Sequence, residues 1–170
     1  MRVFVSVHVP TEVREKLREV QKELPKNTKL VPVENFHITL SFLGEKSQDK
    51  VKELIEKLSL VQFKPFVVKL VGIGGFTSSK KARVVWIGVQ SVELEKLARQ
   101  VKLAVGDEEF KFKAHVTLAR DVEIDLTTLA NRLEKKEFGV FEVKSFELMK
   151  SELTPSSSKY SVLESFSLTV

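Results

Sequence analysis

The sequence predicts an α+β fold made of two similar halves, with largely antiparallel sheets. Strand-like and helix-like segments alternate, but strand-like segments follow one another in the middle and near the C-terminal end, which does not fit a parallel doubly wound sheet. Both halves also share one order of elements. Each carries a strand with the same pattern, HITL at 37–40 and HVTL at 115–118. We therefore expect a duplicated unit of about 80 residues.

The first half begins with a strand and a helix. Residues 2–9 alternate and are rich in valine, which predicts a strand. Pro10 and Thr11 then open a helix, and Pro25 follows its end. The apolar residues of this helix recur at spacings of three and four, which defines a buried face of Val13, Leu17, Val20 and Leu24.

The first tetrapeptide lies in the next strand. A loop over 30–35 leads into a strand over 36–43, which ends at Gly44. Ser47 is placed to cap a second helix. The helical spacing of its apolar residues predicts a buried stripe of Val51, Leu54, Ile55 and Leu58.

The second half begins with two successive strands. They are predicted over 63–73 and 83–89, separated by a glycine-rich turn at 74–75 and a polar loop at 77–82. Trp86 stands among valine and isoleucine, so we expect it in the core rather than as a surface for base stacking.

The rest of the second half repeats the order of the first. A helix over 92–105 is followed by a strand over 113–120, which contains HVTL, and by a helix over 125–136. Two strands then complete the chain, at about 139–149 and 159–169.

Composition limits the class of protein. The 170 residues suit one domain of two lobes, and 42% hydrophobic with 30% charged residues is typical of a soluble globular chain. Cysteine is absent, which excludes disulfides, thiolate nucleophiles and cysteine-bound zinc. No apolar stretch approaches the ~18 residues that span a membrane, and the first ten residues do not form a signal peptide. We expect a cytoplasmic monomer.

The net charge of +5 favours an anionic partner such as RNA, although an ordinary lysine-rich surface has the same charge. Lys80, Lys81 and Arg83 form a basic segment that suits either an RNA backbone or a solvated loop. Tyr160, near a turn, is a second candidate for RNA contact. His8 is assigned a structural or surface role.

The two tetrapeptides offer the groups needed for phosphodiester chemistry. Side chains alternate along a strand, so His37 and Thr39 share one face, as do His115 and Thr117. A neutral imidazole accepts a proton and a protonated one donates it, because the histidine pKa of ~6.5 lies near working pH. Threonine hydroxyls donate hydrogen bonds to phosphate oxygens. Two ordinary structural strands are the alternative, but two of the chain's three histidines occupy matching places in the repeat.

The chain resembles the 2H phosphoesterases, and within them the RNA 2′,3′-cyclic phosphodiesterases, once called 2′-5′ RNA ligases. The resemblance runs nearly end to end. It rests on RVFVSVHVP, VPVENFHITLSFLGE, ARVVWIGV, FKAHVTLAR and SELTPSSSKYSVLESFSL. It implies a bilobal α+β fold in which two largely antiparallel sheets face a central cleft. It also implies hydrolysis of RNA 2′,3′-cyclic phosphate ends to a 2′-phosphate, without metal or cofactor.

The resemblance also implies roles for individual residues. His37 is the proton donor and His115 the proton acceptor, while Thr39 and Thr117 hold the phosphate. Arg120 and Phe42 match positions that contact substrate. Strict alternation places Arg120 and Phe42 on the face opposite the histidines, so they reach the cleft only where each strand ends or bulges.

Three functions remain open at this point. The first is the phosphodiesterase, acting on RNA with cyclic or 2′-5′-linked ends, tRNA fragments among them, and able to run in reverse as a ligase. The second is a binding module for RNA ends or 2′-5′-linked nucleotides with little turnover. The third is a phosphodiesterase for a small cyclic phosphate.

Overall fold

The computed structural model describes residues 1–109 and 111–169, which form an α+β fold with antiparallel strands, as predicted. The strands are β1 (Arg2–His8), β2 (His37–Glu45), β3 (Phe66–Thr77), β4 (Ala82–Gln90), β5 (His115–Ala119), β6 (Glu137–Val143), β7 (Ser145–Leu153) and β8 (Ser158–Ser167). The helices are α1 (Thr11–Gln21), α2 (Gln48–Ser59), α3 (Val92–Val105), α4 (Thr127–Arg132) and a 3₁₀ turn at Val33–Asn35.

The strands form one continuous sheet rather than two separate ones. Its order is β6-β3-β4-β5-β2-β1-β7-β8, so four strands lie on each side of the β5–β2 junction. This junction consists of the pair Ile38 and Val116, in the middle of the two tetrapeptides. The fold therefore brings the two motifs side by side at the centre of the sheet.

The sheet is strongly curled. Only Lys144 separates the end of β6 from the start of β7, although five other strands lie between these two in the sheet order. Consecutive Cα atoms are about 3.8 Å apart. Strands so distant in order meet at one end only if the sheet bends round on itself.

Two expectations for the strand boundaries of the second half were wrong. Gly74 and Gly75 do not form a turn but lie inside β3, opposite Trp86 and Val85. A Cβ on Gly75 would lie 2.3 Å from the Cβ of Ala82, so this glycine marks close packing rather than a reversal of the chain. The segment read as one strand over 139–149 is two strands, because a one-residue connection has no glycine or proline to mark it.

The helices cover the face of the sheet that carries the aliphatic residues of the motifs. Ile38, Leu40, Val116 and Leu118 are almost fully buried, and α3 and α1 pack near β2 and β5. The histidines and threonines of the motifs are only partly buried, on the other face. In the described residues, no helix is both long enough and apolar enough to cross a membrane.

Candidate active site

The pairing of β2 with β5 places the four predicted residues on one face. Ile38 and Val116 are directly opposite each other in an antiparallel pair. Continuing this register by one residue in each direction sets His37 opposite Thr117 and Thr39 opposite His115. Opposed residues of an antiparallel pair project to the same side. The two imidazoles and two hydroxyls therefore surround one space above the centre of the sheet.

Both histidines are held by the same hydrogen bond. His37 Nδ1 lies 2.7 Å from the carbonyl oxygen of Asn35, and His115 Nδ1 lies 2.6 Å from that of Lys113. A carbonyl only accepts, so Nδ1–H donates in both rings and the neutral rings keep their lone pair on Nε2. The Thr39 hydroxyl lies 2.8 Å from His37 Nε2. Nε2 is therefore the nitrogen of each ring that can transfer a proton, and in the free protein His37 Nε2 accepts a hydrogen bond from the Thr39 hydroxyl.

Burial and nearby positive charge favour the neutral form of both imidazoles in the free protein. Burial lowers the pKa of His37 from 6.5 to about 4, and the positive charge of Arg120 lowers it further. The hydrogen bond to the Asn35 carbonyl acts in the opposite direction and raises this pKa. Burial also lowers the pKa of His115, and the positive charge of Arg120 lowers it further. The hydrogen bond to the Lys113 carbonyl raises this pKa. The site thus disfavours positive charge and suits a ligand that brings a negative one.

A bulge in each motif strand brings Phe42 and Arg120 to the histidine face. In β2, Ser41 pairs with Val5 and Thr39 with Ser6, so Leu40 is the extra residue. In β5, Ala119 pairs with Val85 and Thr117 with Trp86, so Leu118 is the extra residue. Each bulge reverses the alternation at the same place after its histidine. Phe42 and Arg120 then both line a cavity together with His37.

An ion pair between the buried Lys102 and the partly buried Asp107 holds the bulge of β2. The Ser41 hydroxyl donates to Asp107 Oδ2 at 2.6 Å, and Lys102 Nζ lies 3.3 Å from the same oxygen. Lys102 Nζ also donates to the carbonyl of Glu109 at 2.7 Å. Lys102 is only 6% exposed, so these contacts satisfy a charge that is almost fully removed from water.

Aromatic residues form the wall beside His37. The ring centroids of Phe4 and Tyr160 lie 5.0 Å and 5.3 Å from that of His37. Phe42 is 70% exposed at the mouth of a cavity of about 340 Å³, which Phe4, Tyr160 and Arg120 also line. Phe4 was missed in the sequence, where alternation only groups it with Arg2, Ser6 and His8 on one face of the first strand.

Aromatic residues also stand beside His115. The ring centroid of Phe76 lies 5.2 Å from that of His115, and that of Trp86 lies 5.6 Å from Phe76. Trp86 is partly exposed on the histidine face, so the expectation of a core position was wrong. Its neighbours in β4 are buried valine and isoleucine, but alternation gives the indole the opposite face.

His8 and the basic segment lie outside the histidine and threonine set. His8 is exposed and pairs with His37 across β1 and β2, and its Nδ1 lies 2.8 Å from Arg14 Nη2. Lys80, Lys81 and Arg83 are exposed. No three or more of the described histidine, aspartate and glutamate side chains are grouped so that they could hold a metal ion.

The sequence as a whole matches the LigT-like phosphoesterase family, twice along its length, over residues 7–86 and 87–160. The chain belongs to this family. It is 38% identical to the RNA 2′,3′-cyclic phosphodiesterase of Archaeoglobus fulgidus over 98% of this chain and 99% of that protein. It is 35% identical to the enzyme of the same name from Methanocaldococcus jannaschii, over 96% and 99% of the two chains.

Solved structures agree with this assignment. A Thermus thermophilus protein superposes with a TM-score of 0.84 at 31% identity, covering 99% of this chain and 98% of that one. Escherichia coli LigT in complex with 3′-AMP gives a TM-score of 0.84 at 28% identity, with the same coverage.

Proposed function

We propose that the protein hydrolyses RNA ends that carry a 2′,3′-cyclic phosphate and leaves a 2′-phosphate. The observation that carries this proposal is the β2–β5 register, which sets both histidines and both threonines around one space. The names of the relatives, RNA 2′,3′-cyclic phosphodiesterase, support the same reaction. So does membership of a phosphoesterase family.

The reaction divides between the two histidines. His115 Nε2 accepts a proton from a water molecule, whose oxygen attacks phosphorus. The bond between phosphorus and the 3′ oxygen breaks, and His37 Nε2–H donates its proton to that oxygen. The product carries a 3′-hydroxyl and a 2′-phosphate. The donor and acceptor roles follow the family resemblance, since the Nδ1 hydrogen bonds of the two rings are alike.

The phosphate itself sets the protonation state that this reaction needs. One imidazole must be charged, yet both pKa values are lowered in the free protein. A bound phosphodiester brings a negative charge, which raises the pKa of a nearby histidine. Thr39 and Thr117 donate to the non-bridging oxygens, and Arg120 adds a charge-assisted contact. Substrate binding thus favours the protonated form of His37, which is the proton donor. Phe42 contacts the nucleoside.

The duplicated pattern extends to the architecture. We propose one domain of two pseudo-symmetric lobes, each giving one HxTx motif. Two observations support it: the family pattern recurs in both halves, and Leu40 and Leu118 are extra residues at equivalent places. The net charge of +5 favours RNA, including tRNA fragments, over a small cyclic phosphate. We also propose a cytoplasmic monomer and, in reverse, 2′-5′ ligation of RNA ends held close together.

The test is hydrolysis of a short RNA that ends in a 2′,3′-cyclic phosphate, in the presence of EDTA. Wild type is compared with His37→Ala, His115→Ala and the exposed control His8→Ala. We expect a 2′-phosphate product, a loss of at least ~10² in rate for His37→Ala and His115→Ala, and little loss for His8→Ala. An inactive wild type that still binds the RNA would favour the binding module.

A further inference from the structure

The aromatic residues beside His115 form a platform on the sheet. A Cβ on Gly74 would lie 2.5 Å from Trp86 Cη2, so the indole rests directly on this glycine. Lys113 Nζ lies 4.0 Å from the centroid of the indole and 5.6 Å from that of Phe76. One face of the indole is therefore supported by backbone, and a single exposed lysine lies over the ring.

This platform adjoins the proposed reaction centre on the side away from Tyr160. Phe76 contacts the His115 ring edge to face, at an interplanar angle of 89°. Tyr160 contacts the His37 ring in the same manner, at 86°. The central space thus has aromatic rings on both sides. A phosphate that links two nucleosides has one on each side of its phosphorus, and nucleobases stack on aromatic rings.

The platform also carries an unsatisfied polar group. Trp86 Nε1 is buried and has no hydrogen-bond partner among the described residues. An unpaired buried donor is uncommon in folded proteins without a functional reason.

We propose that Trp86, Phe76 and Lys113 form a second nucleotide subsite, which stacks a nucleobase of single-stranded RNA on the His115 side of the central phosphate. The inference rests on the proposed function, because the central phosphate defines the two sides. Trp86 supplies the stacking surface, and Phe76 borders it toward His115. Lys113 covers the ring when the subsite is empty and pairs with the RNA backbone when it is filled.

The test compares a ligand with one nucleoside to a ligand with two. Adenosine 2′-monophosphate and adenylyl-(2′→5′)-adenosine are titrated into His37→Ala, which prevents turnover. Calorimetry gives Kd, and emission of Trp86, the chain's one tryptophan, reports on the platform. Stacking of one base contributes ~1–3 kcal/mol, so we expect the dinucleoside to bind about 5- to 150-fold more tightly and to quench the emission.

Variants separate stacking from packing. Trp86→Leu lowers the affinity ratio of the two ligands toward one, whereas Trp86→Phe keeps part of it. Lys113→Gln weakens dinucleoside binding more than Lys111→Gln does, although both remove one exposed charge from the same segment. Equal affinities for the two ligands, an unchanged emission, or equal weakening of both ligands by Trp86→Leu would each overturn the subsite.

Failure of the subsite differs from failure of the proposed function. If wild type hydrolyses cyclic phosphate ends but the one-nucleoside and two-nucleoside ligands bind equally tightly, the proposed reaction stands and the second subsite does not. Wild type that does not hydrolyse them refutes the reaction, while the affinity ratio and the Trp86 emission still decide on the platform.

Discussion

The lowered pKa of His37 predicts a specific loss of stability in acid. Above pH 6.5 the ring is neutral in both the folded and the unfolded chain, so its titration contributes nothing. Between pH 6.5 and about 4 the unfolded chain binds a proton that the folded chain excludes, and stability falls. A shift from 6.5 to about 4 corresponds to a full loss of about 3 kcal/mol, since one pKa unit is about 1.4 kcal/mol.

The perturbation is His37→Asn, whose amide keeps a donor near the Asn35 carbonyl and does not titrate. Unfolding free energies of wild type and variant are measured in denaturant at pH 7.5 and pH 4.5. The difference between them isolates His37, because all other groups titrate in both proteins. We expect wild type to lose about 2–3 kcal/mol more than the variant over this interval.

His8→Asn is the matched control. The pKa of His8 is also lowered by burial and by Arg14, but this ring is exposed, so solvent screens the effect. We expect a much smaller difference for His8→Asn. Equal pH dependence of wild type and His37→Asn would refute the claim that folding removes His37 from water.

Three further predictions address the other parts of the site. Thr39→Val or Thr117→Val lowers kcat about 10²–10³-fold on a cyclic phosphate end, measured under saturation, because each removes a donor to the phosphate oxygens. Full activity in both variants would exclude that role. Arg120→Gln raises the pKa of both His37 and His115 in an NMR titration, because the positive charge of Arg120 lowers both; unchanged values would place Arg120 too far away to matter. Lys102→Met destabilises the protein by about 1–3 kcal/mol in denaturant, because it leaves the Asp107 carboxylate and the Glu109 carbonyl without the Lys102 donor. Lys102→Met with Asp107→Asn recovers part of the loss, and no recovery would contradict the pairing.

The sequence was sufficient to predict the strands that carry His37 and His115 and the side on which each side chain lies. Both predictions depend on short-range periodicity, which the backbone imposes locally. The α+β class and the antiparallel pairing followed from the order of segments. The order of segments did not predict that the sheet is continuous, because a single pair of residues joins its two parts.

The positions that the sequence alone did not decide share a physical cause, which is contact between distant segments. The glycine pair at 74–75 is typical of a turn. Position 74 is instead a glycine because the Trp86 ring lies on it and leaves no room for a Cβ. Phe42 and Arg120 reach the histidine face only through bulges, and a bulge is defined by the partner strand as much as by its own residues. The tertiary register therefore decides these positions.

The central claim is that the two motifs bind one phosphate between them. Histidine side-chain NMR signals are titrated with pH, with and without adenosine 2′-monophosphate. One shared phosphate raises the pKa of both His37 and His115 and leaves that of His8 nearly unchanged, because a bound anion favours the charged form of each imidazole it faces. A rise for only one of the two motif histidines would contradict the claim and leave the other motif as an ordinary strand.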